Sequence, residues 1–154
     1  MTHEIPTVPQ DDPSDTIMAA LAHGMTGQPE KAAPLFEPFL AGGPTTAVGL
    51  CAALAEVSAG HARPNLPKGG TFGLLVLDAR TGQRGDIAEV PAGLRFAAQF
   101  STAWANGERD TAYALFNALI EPGDEQAAEA FADGVRALFD MAVVSLNEMT
   151  GRTA

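Results

Sequence analysis

Residues 27–40 read GQPEKAAPLFEPFL, and residues 107–120 read GERDTAYALFNALI. The two stretches start 80 residues apart (107 − 27) and share a glycine, an alanine, a Leu-Phe pair and two large apolar residues at the end. Apolar residues at such intervals of three and four lie on one side of an α-helix. The matching positions are Gly27, Ala32, Leu35, Phe36, Phe39 and Leu40 in the first stretch, and Gly107, Ala112, Leu115, Phe116, Leu119 and Ile120 in the second.

The glycines of both stretches stand where helices are expected to end. Gly27 and Gly107 precede the apolar stripes, and Gly43 and Gly123 follow them. Glycine is common just after a helix, because it adopts the left-handed backbone conformation without a steric clash. Each stretch therefore predicts the second helix of a helix–turn–helix unit, and both a true internal duplication and a chance echo are compatible with the pattern.

The second stretch resembles the tetratricopeptide helical hairpin. Gly107, Ala112, Phe116 and Leu119 stand where that motif has its turn glycine, small alanine, aromatic residue and final apolar residue. The spacing of 80 residues departs from the usual 34, and the first copy lacks the aromatic residue early in its first helix. The resemblance implies paired antiparallel helices, without a continuous superhelix.

The flanking sequence places further boundaries along the chain. Residues 1–12, with Pro6 and Pro9, predict an extended arm, and residues 13–150 predict a single helical domain. Asp12 and Asp124 are expected to cap helices, the second of which runs to about Met149. Pro34 and Pro38 should bend or split the helix that they occupy, because proline removes a backbone donor.

The spacing of apolar residues is no longer helical in the stretch between the two halves. A Pro- and Gly-rich linker, residues 63–70, is followed by the apolar run 72–78, the turn pair Thr81-Gly82 and a second run that ends at Val90. This order predicts one β-hairpin at about residues 71–90. The expected fold is mainly α, with about five helices in two helical hairpins and one β-hairpin between the halves.

Composition narrows the classes of function. Nine basic and nineteen acidic residues give a formal net charge of −10, which opposes binding to nucleic acid or to anionic membranes. The single cysteine, Cys51, cannot form an internal disulfide, and we expect a buried thiol in a reducing compartment. Residues 1–12 lack the features of a secretory signal, and no apolar run is long enough to span a bilayer, so we expect a cytoplasmic protein.

No group of residues forms a coherent catalytic or metal-binding motif, so we expect no cofactor. Cys51 and His61 lie ten residues apart on one predicted helix, about 15 Å, which is too far for a nucleophile–base pair. The three His residues lack partners at metal-ligand spacing. Three weaker hypotheses stay open: a phosphate loop at residues 68–71, a carboxylate pair among Asp78, Asp86 and Glu89, and an exposed aromatic line of Phe96, Phe100 and Trp104.

The hypothesis that these observations favour is a non-enzymatic interaction or scaffold protein that forms a homodimer or binds a protein partner. The last predicted helix is longer than its expected neighbours, so part of its apolar stripe should need a partner to cover it. The expected interaction residues are Val143, Leu146 and Met149 on that helix and Arg80 and Arg84 at the predicted hairpin. The alternative is a small-molecule-binding protein or small enzyme with a pocket between the helices and the hairpin.

The two apolar stripes place Phe36 and Phe116 between helices, which leads to a stability prediction. Phe116→Ala should lower the free energy of unfolding by about 3–5 kcal/mol, as truncation of a buried phenylalanine usually does. Phe36→Ala should cost a similar or smaller amount, because the prolines make its helix less regular. Chemical denaturation checks both, and a variant that unfolds at the wild-type midpoint would show that its residue is not buried between helices.

Overall fold

The computed structural model describes residues 12–151, which fold into six α-helices. These are α1 Pro13–Met25, α2 Ala33–Ala41, α3 Pro44–Ala62, α4 Ala92–Ala105, α5 Arg109–Ile120 and α6 Glu125–Met149, with short 3-10 turns at Pro29–Lys31, Arg63–Asn65 and Ile87–Glu89. The prediction of about five helices with a β-hairpin is therefore wrong: there are six helices, and residues 12–151 contain no strand. The predicted arm, apart from Asp12, lies outside the described residues.

The predicted β-hairpin is reduced to a single antiparallel bridge, between Leu77 and Arg84. The turn between them forms, with Gly82 in the left-handed region at φ +70°. The returning chain cannot continue as a strand, because the Asp86 side chain accepts a hydrogen bond from the Ala88 N–H and starts the 3-10 turn Ile87–Glu89. A two-stranded ribbon is marginal in water even when longer, so pairing stops after one bridge.

Residues 27–40 and 107–120 enter their hairpins by the same local structure. Gly27 and Gly107 follow α1 and α4 with φ of +78° and +76°. The N–H of Gln28 donates to the carbonyl of His23, and the N–H of Glu108 donates in the same way to Ala103. This pattern satisfies the last carbonyls of each helix. The chain therefore leaves α1 and α4 by equivalent turns.

The alanine and phenylalanine of each stretch are buried in the core. Ala32 and Ala112 are buried, and so are Phe36 and Phe116. Phe36 meets Phe139 of α6 edge to face with 5.4 Å between ring centroids, and Phe116 meets Phe131 of α6 at 5.7 Å. Such edge-to-face pairs contribute about 0.5–1.5 kcal/mol beyond the burial of their area. Both hairpins thus pack their aromatic residue on the same long helix.

Proline distinguishes the first hairpin from the second. Pro29 begins a separate 3-10 turn, Pro34 lies in the first turn of α2, and Pro38 lies inside α2. A proline in the first turn is tolerated, since its missing N–H has no intrahelical partner there. In the first hairpin, the prolines divide the segment into the 3-10 turn and a short α2 of 9 residues. In the second hairpin, alanine stands at the positions that match Pro34 and Pro38, and α5 runs for 12 residues.

Two glycines bring α4 and α6 into close contact. A Cβ atom built on Gly93 would lie 2.5 Å from the carbonyl oxygen of Ala130 and 3.0 Å from the backbone nitrogen of Gly134. A Cβ built on Gly134 would lie 2.8 Å from the ring of Phe96. The backbones can approach in this way only because neither residue has a side chain.

The second half of α6 lies along α3. The Ser145 hydroxyl donates to the carbonyl of Ser58 at 3.2 Å, and His61 Nε2 lies 3.2 Å from a carboxylate oxygen of Glu148. Both pairs are 87 residues apart in sequence (145 − 58 and 148 − 61), so the two helices run in the same direction. No helix within residues 12–151 has the length and apolar character needed to cross a membrane.

From the close contact between α4 and α6 we predict that adding one methyl group at Gly93 lowers the stability of the protein. Gly93→Ala should destabilise the protein by about 1–3 kcal/mol, because the new Cβ has no room at the crossing. The matched control is Gly60→Ala in α3, where a Cβ would meet nothing within 4 Å. Alanine there should be neutral or stabilise by up to about 1 kcal/mol through its helix propensity. Thermal or denaturant unfolding of the two variants checks the crossing, and equal midpoints would refute it.

Candidate functional site

The connection between the two halves is the longest irregular part of the described chain. Between Asn65 and Ala92 the only helical element is the 3-10 turn Ile87–Glu89. Connections longer than about 12–15 residues without secondary structure are uncommon in compact domains and are usually either functional or linker segments. This connection is therefore the part of the fold most expected to carry a functional surface.

Its first part, residues 72–78, is held at both ends, and we call it the leucine segment. The side-chain amide of Asn106 donates to the Phe72 carbonyl at 3.0 Å, and its oxygen accepts from the Phe72 N–H at 2.7 Å. At the other end, the Asp78 N–H donates to the Gln83 carbonyl at 2.8 Å. The segment is thus tied to the turn after α4 and to the bridge.

Three leucines of this segment are exposed to solvent. Leu74 is 43% exposed, Leu75 58% and Leu77 56%. Isolated apolar residues on a surface need no explanation, but a contiguous apolar patch on a soluble protein commonly marks a partner site. The predicted interaction residues Arg80 and Arg84 lie in the adjoining turn and bridge, both exposed.

A cavity of about 710 Å³ lies between this segment and α4. Its position matches the pocket that a small-molecule-binding protein would require, and its polar lining comes from Arg84, Asp86 and Gln99. Asp86 already caps the 3-10 turn, and Arg84 and Asp86 are both exposed to solvent. The cavity is therefore open and lacks a buried polar group that would orient a substrate. Its apolar lining comes from Leu74, Leu75, Val76 and Ile87.

The predicted interaction residues on α6 differ in their exposure. Val143 and Leu146 are half-buried and pack against the core, and a Cβ on Gly24 of α1 would lie 2.6 Å from Val143. Met149 is exposed near the end of the helix. The prediction from helix length assumed shorter neighbours, whereas α3 has 19 residues and runs beside α6. A role for these residues in binding stays a prediction.

The most connected polar group joins α3 to the end of α4. Both nitrogens at the tip of Arg63 donate to the Glu56 carboxylate, at 2.7 and 3.1 Å. The Trp104 indole N–H donates to the same carboxylate at 2.8 Å, and the Arg109 guanidinium lies 4.9 Å from the centre of the Trp104 ring. The Arg63 bonds lower the pKa of the Glu56 carboxyl, with partial burial opposing the shift and Trp104 supporting it.

This polar group stabilises helix ends. Arg63 also donates to the carbonyls of Trp104 and Ala105, the last residues of α4, at 3.4 and 3.5 Å. A cation at the end of a helix satisfies free carbonyls and opposes the negative end of the helix dipole. We therefore assign this group a structural role.

Among the described residues, the cysteine and histidine side chains do not combine into a reactive site. Cys51 is fully buried, and burial raises the pKa of its thiol to about 12, so the reactive thiolate does not form near neutral pH. His61 faces Glu148 at the surface instead. Within the described part of the chain, no three His, Cys, Asp or Glu side chains lie close enough together to hold a metal ion.

The candidate carboxylates Asp78 and Asp86 and the three candidate aromatic rings each have a structural role in the fold. The Asp78 and Asp86 carboxylates accept hydrogen bonds from the backbone N–H groups of Arg80 and Ala88, so each shapes its own turn. Phe96, Phe100 and Trp104 are all buried and form a line of rings within the core.

The glycine-rich residues 68–71 form a tight turn ahead of the leucine segment. Gly69 takes a left-handed conformation at φ +79°, and the Gly70 N–H donates to the carbonyl of Pro67 at 2.8 Å. Residues 68–71 are preceded by a 3-10 turn and an irregular stretch, whereas a phosphate loop follows a strand. The turn therefore serves to redirect the chain toward the leucine segment.

Sequence reasoning missed the two contacts that position the connection. One is the pair of bonds between Asn106 and Phe72, 34 residues apart, and the other is the group around Glu56. The Asn106–Phe72 contact could have been suspected from the sequence, because Asn106 precedes a turn glycine and its side-chain amide can both donate and accept hydrogen bonds. The second depends on the packing of α3 against α4, which no local pattern reveals.

Known proteins give no further guide to function. No family model matches the chain, and neither a curated protein nor a solved structure matches it. The geometry of the described residues is therefore the basis for any functional conclusion.

The Glu56 group predicts a dependence of stability on pH. Because the Glu56 pKa is lowered in the folded protein, its stabilisation is complete above the ordinary Glu pKa and is lost as the pH falls through the lowered value. Glu56→Gln should therefore lower the free energy of unfolding by roughly 0.2–1 kcal/mol at neutral pH, as expected for an exposed ion pair.

The stability difference between wild type and Glu56→Gln should shrink in acid, where the wild-type carboxyl is also neutral. Urea unfolding as a function of pH measures it. Glu37→Gln is the control, because Glu37 forms no ion pair within residues 12–151. A difference that is constant with pH would mean that the Arg63 contact contributes nothing.

Proposed function

We propose that this protein is a non-enzymatic interaction protein that self-associates, and that the leucine segment is its contact surface. The observation that supports this most directly is the exposure of Leu74, Leu75 and Leu77 in one contiguous stretch. Burying such side chains gains about 25 cal/mol for each Å² of apolar surface removed from water. The segment is held by Asn106 at one end, so little conformational freedom is lost when it binds.

Charge favours this part of the surface for a contact between copies. Residues 61–95 contain five basic and three acidic side chains, a charge of +2 (5 − 3), and the rest of the chain carries −12 (−10 − 2). In a twofold contact, where the same surface of each copy meets itself, this region brings together fewer like charges than the acidic remainder of the chain does. A twofold homodimer is the commonest arrangement of soluble oligomers. The same net charge makes binding to nucleic acid unfavourable. We also propose a cytoplasmic location, because Cys51 is a buried free thiol, which fits a reducing compartment.

The cavity beside the leucine segment favours a second candidate, a small-molecule-binding protein or small enzyme. Its volume of about 710 Å³ falls within the usual range for ligand sites. This candidate needs the leucines as cavity walls in a monomer, whereas self-association covers them with protein. The oligomeric state therefore discriminates between the two.

Self-association should be lost when a charge is placed on the leucine segment. In sedimentation equilibrium at micromolar concentration, we expect the wild type to approach twice the chain mass of 15.9 kDa. Leu75→Asp should weaken the dimer at least about tenfold, or ~1.4 kcal/mol, because a carboxylate would be desolvated at the contact.

Leu40→Asp is the matched control. Leu40 lies on α2 and is 39% exposed, so the substitution adds the same charge to an exposed leucine outside residues 61–95. It should leave the association constant nearly unchanged. A wild-type mass of one chain at every concentration would contradict self-association and favour the small-molecule candidate.

A further inference from the structure

The connection between the two halves, residues 66–91, contributes nothing to the buried core. Every residue from 61 to 92 is exposed or half-buried, whereas each of the six helices contains buried residues. Segments with few buried apolar contacts open at a lower free energy than the core of a protein. The connection is therefore expected to open more readily than the helices.

Two cavities lie between the connection and the helices beside it. The larger, of about 710 Å³, separates the leucine segment from α4, and the smaller, of about 170 Å³, lies where Phe72 and Gly73 meet α3, α4 and α6. Apolar side chains are in contact only when their heavy atoms lie within about 4.0–4.5 Å. Side chains that face these gaps therefore do little to hold the connection against the helices.

Hydrogen bonds fasten the connection to the helices at two places between its ends. Within residues 12–151, these are the two bonds between Asn106 and Phe72, at 2.7 and 3.0 Å, and one bond from the Arg95 guanidinium to the Ala88 carbonyl, at 3.4 Å. The Arg95 bond is long, and Ala88 lies only a few residues before α4 begins. Asn106 is therefore the main attachment of the part that contains the leucine segment.

We propose that residues 66–91 are a strap that opens and closes as one unit while the six helices stay folded, and that Asn106 is its latch. This inference goes beyond the proposed function and does not depend on self-association. When closed, the strap holds the leucine segment beside the end of α4. When open, it uncovers the groove next to Phe72, whose walls include Ala59 and Ala62 of α3 and Ala105 of α4.

The single bridge inside the strap couples the latch to residues that Asn106 does not touch. The bridge joins only Leu77 and Arg84, and even longer two-stranded ribbons are marginal in water. It is expected to form only while both of its arms are held, the first by Asn106 and the second by Arg95. The Asp78 and Gly85 N–H groups, which donate to carbonyls across the bridge, should therefore lose their bonds when the latch opens.

NMR-detected hydrogen exchange of wild type and Asn106→Ala tests the latch. The reporters are the N–H groups of Phe72, Asp78 and Gly85, each of which donates a hydrogen bond in the closed strap. Because the variant loses two bonds, exchange at all three should accelerate by a common factor of at least about tenfold, equivalent to ~1.4 kcal/mol. Exchange at the buried helical residues Leu54 and Leu138 should keep its wild-type rate.

Thr26→Ala is the matched control, because Thr26 occupies the corresponding position after α1 and its hydroxyl bonds only to carbonyls of that helix. It should leave exchange in the strap unchanged. All proteins are compared at a concentration where sedimentation gives them the same mass, so that a change in self-association does not contribute. Acceleration at Phe72 alone would reduce Asn106 to a local contact and overturn the unit. Equal acceleration at Leu54 and Leu138 would mean that the strap opens only by global unfolding.

Exchange of the wild type in dilute urea gives a second test that needs no substitution. The dependence of an opening free energy on denaturant scales with the surface that the opening exposes, and no residue of the strap is buried. The slopes at Phe72, Asp78 and Gly85 should therefore agree with one another and be less than about half of those at the helical residues. Three different slopes, slopes equal to those of the helices, or unprotected amides in the strap would overturn the proposal.

Discussion

The fold depends on α6 as a shared packing surface for both halves of the chain. Phe36 from the first half and Phe116 from the second each meet a phenylalanine of α6 edge to face, eight residues apart along that helix. Eight residues are a little more than two turns, so Phe131 and Phe139 stand on nearby sides of the helix. One helix can therefore receive two similar hairpins at different heights along its 25 residues.

The close crossing of α4 and α6 has no counterpart 80 residues earlier in the chain, and glycine explains the difference. Gly93 and Gly134 let the backbones of α4 and α6 approach each other, whereas the positions 80 residues earlier are Pro13 and Leu54. Proline starts α1 at that point, and Leu54 is a fully buried core residue of α3. The matching sequence therefore yields matching turns and aromatic contacts without matching helix crossings.

Much of the helical fold could be predicted from local sequence, because its signals are local. Asp12 and Asp124 cap helices by accepting from nearby backbone N–H groups, and Gly27 and Gly107 end helices through their left-handed conformation. The apolar run 72–78 misled the prediction, since its strand propensity is real but the returning chain turns away at Asp86. Strand formation depends on a partner, and propensity alone cannot supply one.

The candidate interaction site arises at one of the positions where the two similar hairpins differ in sequence. After α1 the turn carries Thr26, whose hydroxyl bonds back to the Ala22 and His23 carbonyls of its own helix. The corresponding residue after α4 is Asn106, whose longer amide reaches Phe72 and bonds both its N–H and its C=O. Those bonds hold the start of the leucine segment beside the end of α4, and the leucines that follow are exposed. The position of this exposed apolar surface thus depends on the Asn106 anchor.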